Sequence, residues 1–338
     1  MISLAALLKP IRGLDLERFA ALRASSPPVA VDVDRDEMLL VRLRRRRRGA
    51  PKLEAHASRP TPDHGAGISM LRPGLGTLKD TARVMRELFE TSGTRPGRVS
   101  LVLPDNLARV SLISFPDRPP NRRHLDEMVR FKLRKTVPFR LEEATISYQV
   151  LPSQDRETHV LVALMLRSVV EQYEQVLEAV GARPGRVDLS TLSLFNLCRR
   201  EIGKASASER DVALLNCARG YFSLLIVRGT RLLFYRSKSL AEGNGSAETA
   251  EPVLNRELAT SVSYYQEKLG GQAITTTFVR DVTAPPGARS GSLEALGLGT
   301  VVPVDLSGSL MLANGGRLDP EAGQRIAPAA GAALGRGE

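Results

Sequence analysis

Residues 101–150 constrain this chain more than any other stretch, because they hold three elements in a readable order. The segment VSLISF at 110–115 is rich in β-formers and is bounded by Pro116 and Asp117, which reads as a strand and a turn. Leu125, Met128, Val129 and Leu133 then recur at helical spacing and lay one apolar stripe along a polar segment. Pro138 stops that helix, since proline disfavours helical geometry in the residue before it, and residues 146–150 alternate again as a strand.

The wording of this module resembles the PilM family of actin-like proteins. There a strand ends in a Leu-Pro or Phe-Pro step, an acidic helix follows, and a Pro-Phe step, an acidic pair and a Tyr-Gln strand come next. Phe115-Pro116, Leu125-Asp126-Glu127, Pro138-Phe139, Glu142-Glu143 and Tyr148-Gln149 stand in those places here, and weaker similarity runs over roughly residues 29–335. The resemblance implies an α/β, actin-like fold of two related domains facing a cleft, with a small inserted α/β subdomain. The expected divisions are an N-terminal arm over 1–28, a first domain over 29–100 and 186–207, the insert over 101–185, and a second domain over 208–338.

Composition narrows the function classes. A length of 338 residues suggests two or three domains at about 100–200 residues each. Aromatic residues are only 4% and Trp is absent, so few rings are available to stack on bases. Cys198 and Cys217 have no second thiol or histidine at ligand spacing, and His56, His64, His124 and His159 are scattered, which fits a reducing compartment without structural zinc. No apolar run approaches the ~18–20 residues that span a bilayer. Residues 1–9 are apolar but lack a preceding basic residue and a cleavage site, so no secretory leader is expected; a short amphipathic helix and a packed arm are both open.

The net charge of +11 draws the chain toward anions. Much of it sits in Arg42 and the run at 44–48, directly after an apolar strand and before Gly49-Ala50-Pro51. That placement reads as a solvated turn, with contact to an anionic membrane surface as the alternative. No helix-turn-helix, zinc finger or aromatic-basic signature accompanies it, so nucleic acid is not the expected partner.

In chain order, residues 29–33 and 38–43 read as strands about a polar link, and residues 52–75, with Pro60, Pro62, Gly65, Gly67 and Pro73, as a loop. Leu78, Ala82, Met85, Leu88 and Phe89 mark a helix, residues 99–103 a strand, residues 159–166 a buried strand, and Val169, Tyr173, Val176 and Val180 a helix ending at Gly181. Residues 186–190 lead into a helix carrying Leu192, Phe195 and Leu197. After 205–208 the pattern restarts with strands at 212–216, 221–227 and 231–235, an echo of the beginning. Leu254, Leu258, Val262, Tyr265 and Leu269 give an amphipathic helix closed by Gly270-Gly271, with Tyr264 and Tyr265 as rim and core. The small-residue tail at 327–335 is, by resemblance, a helix near the cleft; a frayed terminus is equally open.

The resemblance also places nucleotide contacts on Asp32, Asp34, Asn216, Gly220 and Gly331. Actin-like ATPases use Asp-x-Gly at two strand turns, because glycine admits backbone N–H groups to the phosphates and the carboxylate carries hydrated Mg²⁺. Asp32 stands at the first acid, but Asp34 replaces the glycine; Asn216 and Ala218 replace the second acid and glycine; residues 278–282, FVRDV, run where an adenosine-side glycine pair is expected. Asp34, Asp36 and Glu37 oppose a triphosphate by about 1–4 kcal/mol per close contact, unless Mg²⁺, Arg35 or Arg219 offsets them. A cleft in which ATP and Mg²⁺ are disfavoured is the expectation, and no Walker lysine or Ser, Cys or His constellation offers other chemistry.

The function implied by resemblance is a cytoplasmic scaffold, peripheral to the inner membrane, in the assembly platform of type IV pili or a related secretion or DNA-uptake system. It would hold the cytoplasmic tail of a PilN-like single-span partner. An active ATPase of the same fold and a basic membrane-surface or polyanion binder are the other classes, and a homo-oligomer is open. The tail is expected in the groove between the inserted subdomain and the first domain, with the central module as much of its wall: Val110, Leu112, Leu125 and Met128 give the apolar surface, and Arg130 and Arg134 stand at the rim. Core packing explains the apolar residues equally.

Overall fold

The computed structural model describes residues 26–46, 49–62, 68–117, 119–134, 136–151, 157–240, 250–312 and 318–335. The expected arm, along with Arg47, Arg48, His64 and Lys135, falls largely or wholly outside them.

The chain opens with β1 (Val29–Val33), β2 (Glu37–Arg44) and β3 (Lys52–Pro60), an antiparallel run. Strand β3 occupies residues expected to be a loop. Its buried face is only Leu53 and Ala57, too sparse to show as alternation, and Pro60 sits at its last position, where a missing N–H is tolerated. Helix α1 (Leu78–Thr91) starts at Thr77, whose hydroxyl accepts the Asp80 N–H, and buries Met85, Leu88 and Phe89. Strand β4 (Arg98–Leu103) then lies parallel to β1.

The inserted unit holds β5 (Arg109–Phe115), α2 (Arg122–Leu133), β6 (Ala144–Val150) and β7 (Thr158–Leu166), with the strands in the order β5-β7-β6. It is narrower than the expected 101–185. Strand β4 belongs to the first sheet, and α3 (Arg167–Glu178) packs Val169, Tyr173 and Leu177 into the first sheet's core. Strand β8 (Arg183–Leu189) returns parallel to β4, and α4 (Ser190–Ala205) follows directly.

The second large sheet repeats the first. Strands β9 (Asp211–Ala218), β10 (Tyr221–Arg228) and β11 (Arg231–Ser239) are antiparallel; α5 (Ala250–Leu269) crosses over to β12 (Ile274–Asp281), and α6 (Ser290–Ala295) leads to β13 (Thr300–Pro303). Its order, β11-β10-β9-β12-β13, matches β3-β2-β1-β4-β8 position for position. The last segment leaves it. Strand β14 (Met311–Leu312) pairs with β3, and α7 (Pro320–Leu334) packs among first-sheet residues, so the expected second domain of 208–338 gives its final residues back to the first sheet.

Between the two sheets lie α4 and α7. Ala30, Leu39, Val41 and Val102 of the first sheet meet Leu194 and Leu197 of α4, Ala327 and Ala330 of α7, and Leu214, Leu225 and Val227 of the second. This shared core joins the halves and puts the ends of β1 and β9 opposite each other. No helix among the described residues is long and apolar enough to cross a membrane.

Candidate functional site

Two hairpin turns meet at the mouth of the cleft. In the first, the Asp34 N–H donates to Glu37 O at 2.9 Å and Asp34 Oδ1 accepts the Arg35 N–H at 2.8 Å. In the second, Gly220 has φ +86°, a conformation side chains rarely adopt, and the Arg35 guanidinium lies 3.3 Å from where a Cβ would stand. Arg219 Nε is 3.2 Å from Asp36 Oδ2, and Arg325 Nε of α7 donates to Glu37 at 2.8 Å. Ion pairs therefore tie the first turn to both the second turn and the last helix.

Deeper in, the contacts are buried. Asp105, in a short turn after β4, accepts the Thr191 N–H at 3.1 Å, the Thr191 hydroxyl, and the Ser223 hydroxyl of β10 at 2.8 Å. Asn216 of β9 donates to Ser190 Oγ at 3.2 Å and Thr191 Oγ1 at 2.9 Å, and its Oδ1 accepts from Arg280 at 2.8 Å. Arg280, only 2% exposed, also donates to the carbonyls of Gln324 at 2.8 Å and Arg325 at 3.5 Å. Gln324 in turn accepts the Asp281 N–H at 2.7 Å.

Asp32 is the exception. It is 2% exposed and its Oδ2 has no hydrogen-bond partner. Burial, reinforced by the negative charge of Asp34, pushes its carboxyl up to about 8, against the opposing pull of Arg280. Burial likewise raises Asp34 and Asp105, the latter against the hydrogen bonds from Thr191 and Ser223.

These residues do not fit a magnesium nucleotide. The amide of Asn216 is engaged by protein groups on both ends, the first turn carries a carboxylate where the resemblance expects glycine, and Arg280 puts a large buried side chain where the resemblance expects a glycine pair. Among the described residues no cluster of three His, Cys, Asp or Glu is arranged for a metal. Gly331 serves a different contact, since a Cβ there would lie 1.9 Å from Ser193 O of α4. The structure thus brings Asp32, Asp34, Asn216 and Gly220 to one cleft and uses Gly331 for the α4–α7 crossing.

Asp105, Ser190, Thr191, Ser223 and Gln324 are cleft residues that no sequence motif marks, and Arg280 shows in the sequence only as the absence of an expected glycine. The one local signal was Asp105, an acid set just past a buried strand and Pro104.

The expected tail-binding residues do not share a face. Val110 and Leu112 turn toward the core shared with Leu232 and Tyr235 of β11. Ile113 and Phe115 turn the other way, under Leu125, Met128, Val129 and Leu133 of α2. Arg130 Nε donates to Asp126 at 2.8 Å, and Arg134 is exposed. Phe131, 73% exposed on the same helix, lies off the apolar stripe and escaped notice. In the basic run, Arg44 pairs with Glu54 at 3.1 Å and Arg45 donates to Ser26 O at 2.7 Å.

A model of the family described as type IV pilus assembly protein PilM matches residues 30–251. No curated protein matches the chain. Among solved structures, a chain of a PilM-PilN type IV pilus biogenesis complex is 20% identical, with 93% of this chain and 98% of that chain covered at a TM-score of 0.74. A Bacteroides thetaiotaomicron protein described as having an actin-like ATPase fold is 8% identical, covering 83% of this chain and 92% of its own at 0.48. The cytoplasmic domain of EpsL, an inner membrane component of the type II secretion system of Vibrio cholerae, is 14% identical, covering 86% and 87% at 0.43. The two lower scores carry no argument; the first likeness shows the fold, two α/β halves of one strand order with a small inserted α/β unit.

Proposed function

This chain belongs to the family of the type IV pilus assembly protein PilM, and from that premise we propose that it is a non-hydrolysing scaffold on the cytoplasmic face of the inner membrane. In this reading it holds the short cytoplasmic tail of a PilN-like single-span protein within a pilus assembly platform. The observation that carries the non-hydrolysing part is the cleft interior, where Asn216 and Arg280 bond to Ser190, Thr191 and the α7 backbone. The partner rests on likeness to a chain described in complex with PilN.

The tail is assigned to the inserted unit, on the outer side of α2. Arg130, Phe131 and Arg134 fall together there at helical spacing, with half-buried Met128 beside them. An aromatic anchor flanked by charge suits a short amphipathic segment. Val110 and Leu112, facing β11, are left out of this surface.

Calorimetry on the full chain tests both parts. A peptide copying the cytoplasmic tail of the single-span protein encoded beside this one is expected to bind, and R130E/R134E to weaken it about tenfold with Tm unchanged. Absence of binding, or hydrogen-exchange protection confined to the second sheet, removes the tail assignment. Micromolar affinity for Mg-ATP removes the non-hydrolysing reading.

A further inference from the structure

A bare strand edge is a template for another chain, and proteins blunt it with charge, proline, a bulge, shortness or cover. Among the described residues, every outer strand but one is treated in this way. Strand β14 is two residues long, and β3 beyond it carries Glu54, Arg59 and Pro60. Strand β8 carries Arg183, Pro184 and Arg186 and meets β4 with a register shift. In the second sheet, β11 carries Arg231, Arg236 and Lys238, and the short β13 ends on Pro303. Strand β5 begins on Arg109 and lies against β11. Strand β6 has none of these devices. Residues 144–151, ATISYQVL, hold no charged residue, proline or glycine, and the β6–β7 register runs without a shift.

The free groups of that edge follow from the ladder. The Leu151 N–H donates to His159 O at 2.8 Å, and Val150 stands opposite Val160. Backbone groups alternate sides along a strand, so Thr145, Ser147 and Gln149 point theirs at β7, while Ile146, Tyr148 and Val150 point theirs outward. Among the described residues no group accepts those three outward N–H groups. The side chains of the same three pack toward α2, which leaves Ser147 and Gln149 on the opposite face. We propose that the β6 edge pairs antiparallel with the β6 edge of a second copy of this chain, about a two-fold axis at Tyr148. In that register Tyr148 stands opposite Tyr148 of the second copy and Ile146 opposite Val150, each pair exchanging both N–H···O bonds. A slip by one residue would set outward groups against inward ones. Charge favours the same occupant, because two copies at +11 repel each other, and β6 is the only outer strand longer than β13 that brings no charged residue to the contact.

Sedimentation of the full chain is expected to show a reversible dimer with a dissociation constant of about 100 μM or tighter, the weak class that a single strand pair suits. Ser147 faces Gln149 of the second copy in this register. S147K/Q149K therefore sets like charges across the axis and should weaken the dimer at least about tenfold, whereas S147K/Q149E sets opposite charges there and should stay within about threefold of the unchanged protein. Hydrogen exchange on the unchanged protein gives a second measurement: raising its concentration from about 5 to about 300 μM should slow residues 144–150 and leave the other sheet edges as they were. If the lysine variants do not fold, that exchange result decides alone. A monomer at about 300 μM, a dimer that the two double variants weaken equally or not at all, or slowed exchange at another edge overturns the proposal. Protection of residues 144–150 by the tail peptide, with no dependence on protein concentration, gives the edge to a different chain and overturns it too.

Discussion

The two large sheets share one strand order, yet each buries an aspartate on its central strand under opposite conditions. On β9, Asp211 is fully buried and accepts from Arg228 at 2.5 and 2.9 Å, from the Tyr265 hydroxyl at 2.6 Å and from the Gln272 N–H at 2.7 Å. Burial alone would raise its carboxyl, but those hydrogen bonds hold it below the ordinary value. On β1, Asp32 is buried with a bare oxygen, and burial takes it up to about 8. The same fold tolerates both, and the difference lies in the partners supplied: Arg228 of β10, Tyr265 of α5 and the Gln272 N–H answer Asp211, while that oxygen of Asp32 has none. Asp211 ties together groups of its own half of the molecule; Asp32 keeps an oxygen that nothing answers.

The sharpest way to break this contrast is Asp211→Ala, which strips the partner from Arg228 and Tyr265. It should cost about 3–5 kcal/mol in urea unfolding. The pH dependence supplies a check on sign: because the folded carboxyl lies below its unfolded value of 3.8, its stabilisation is present above that value and is lost as pH falls through the folded one. A titration that shows no acid loss attributable to Asp211 contradicts the comparison.

Gly331→Ala comes next. It places a methyl against Ser193 O, where α7 crosses α4 between the sheets, and should cost about 3 kcal/mol by the same measurement. A neutral result would mean that the two helices can part without strain.

Asp32→Asn goes the other way. Its folded carboxyl is raised from 3.8 to about 8, so its contribution is fully present below 3.8 and is lost as pH rises toward 8. The amide cannot ionise. It should therefore match the unchanged protein near pH 4 and exceed it by about 2 kcal/mol at pH 8.5. An aspartate that proves better than asparagine at high pH would show that Asp32 is answered after all. The smallest effect belongs to Arg44, Arg45 and Arg46: exchange for serine should change stability by less than about 1 kcal/mol in all, since exposed ion pairs contribute little. Binding to anionic vesicles that survives this exchange returns the run to a solvated turn.

Local periodicity made most elements legible. The apolar stripe of Leu125, Val129 and Leu133, the hairpins at the start of each half and the glycine-terminated helices all follow from residues a few positions apart. Strand β3 was hidden, because its partner β2 supplies the register that Leu53 and Ala57 are too few to announce. The insert's limits were hidden likewise, since only pairing with β1 assigns β4 to the first sheet.

The sequence by itself determined most of the strands and helices, though not β3, and showed that Asp34, Asn216 and Ala218 stand where the resemblance expects other residues. Only the tertiary structure decided what replaced them. Asp105 and Thr191 are 86 positions apart, Asp105 and Ser223 118, and Asn216 and Arg280 64. Hydrogen bonds at such separations leave no periodic trace, and the charge state of a buried aspartate depends on which distant partners arrive beside it.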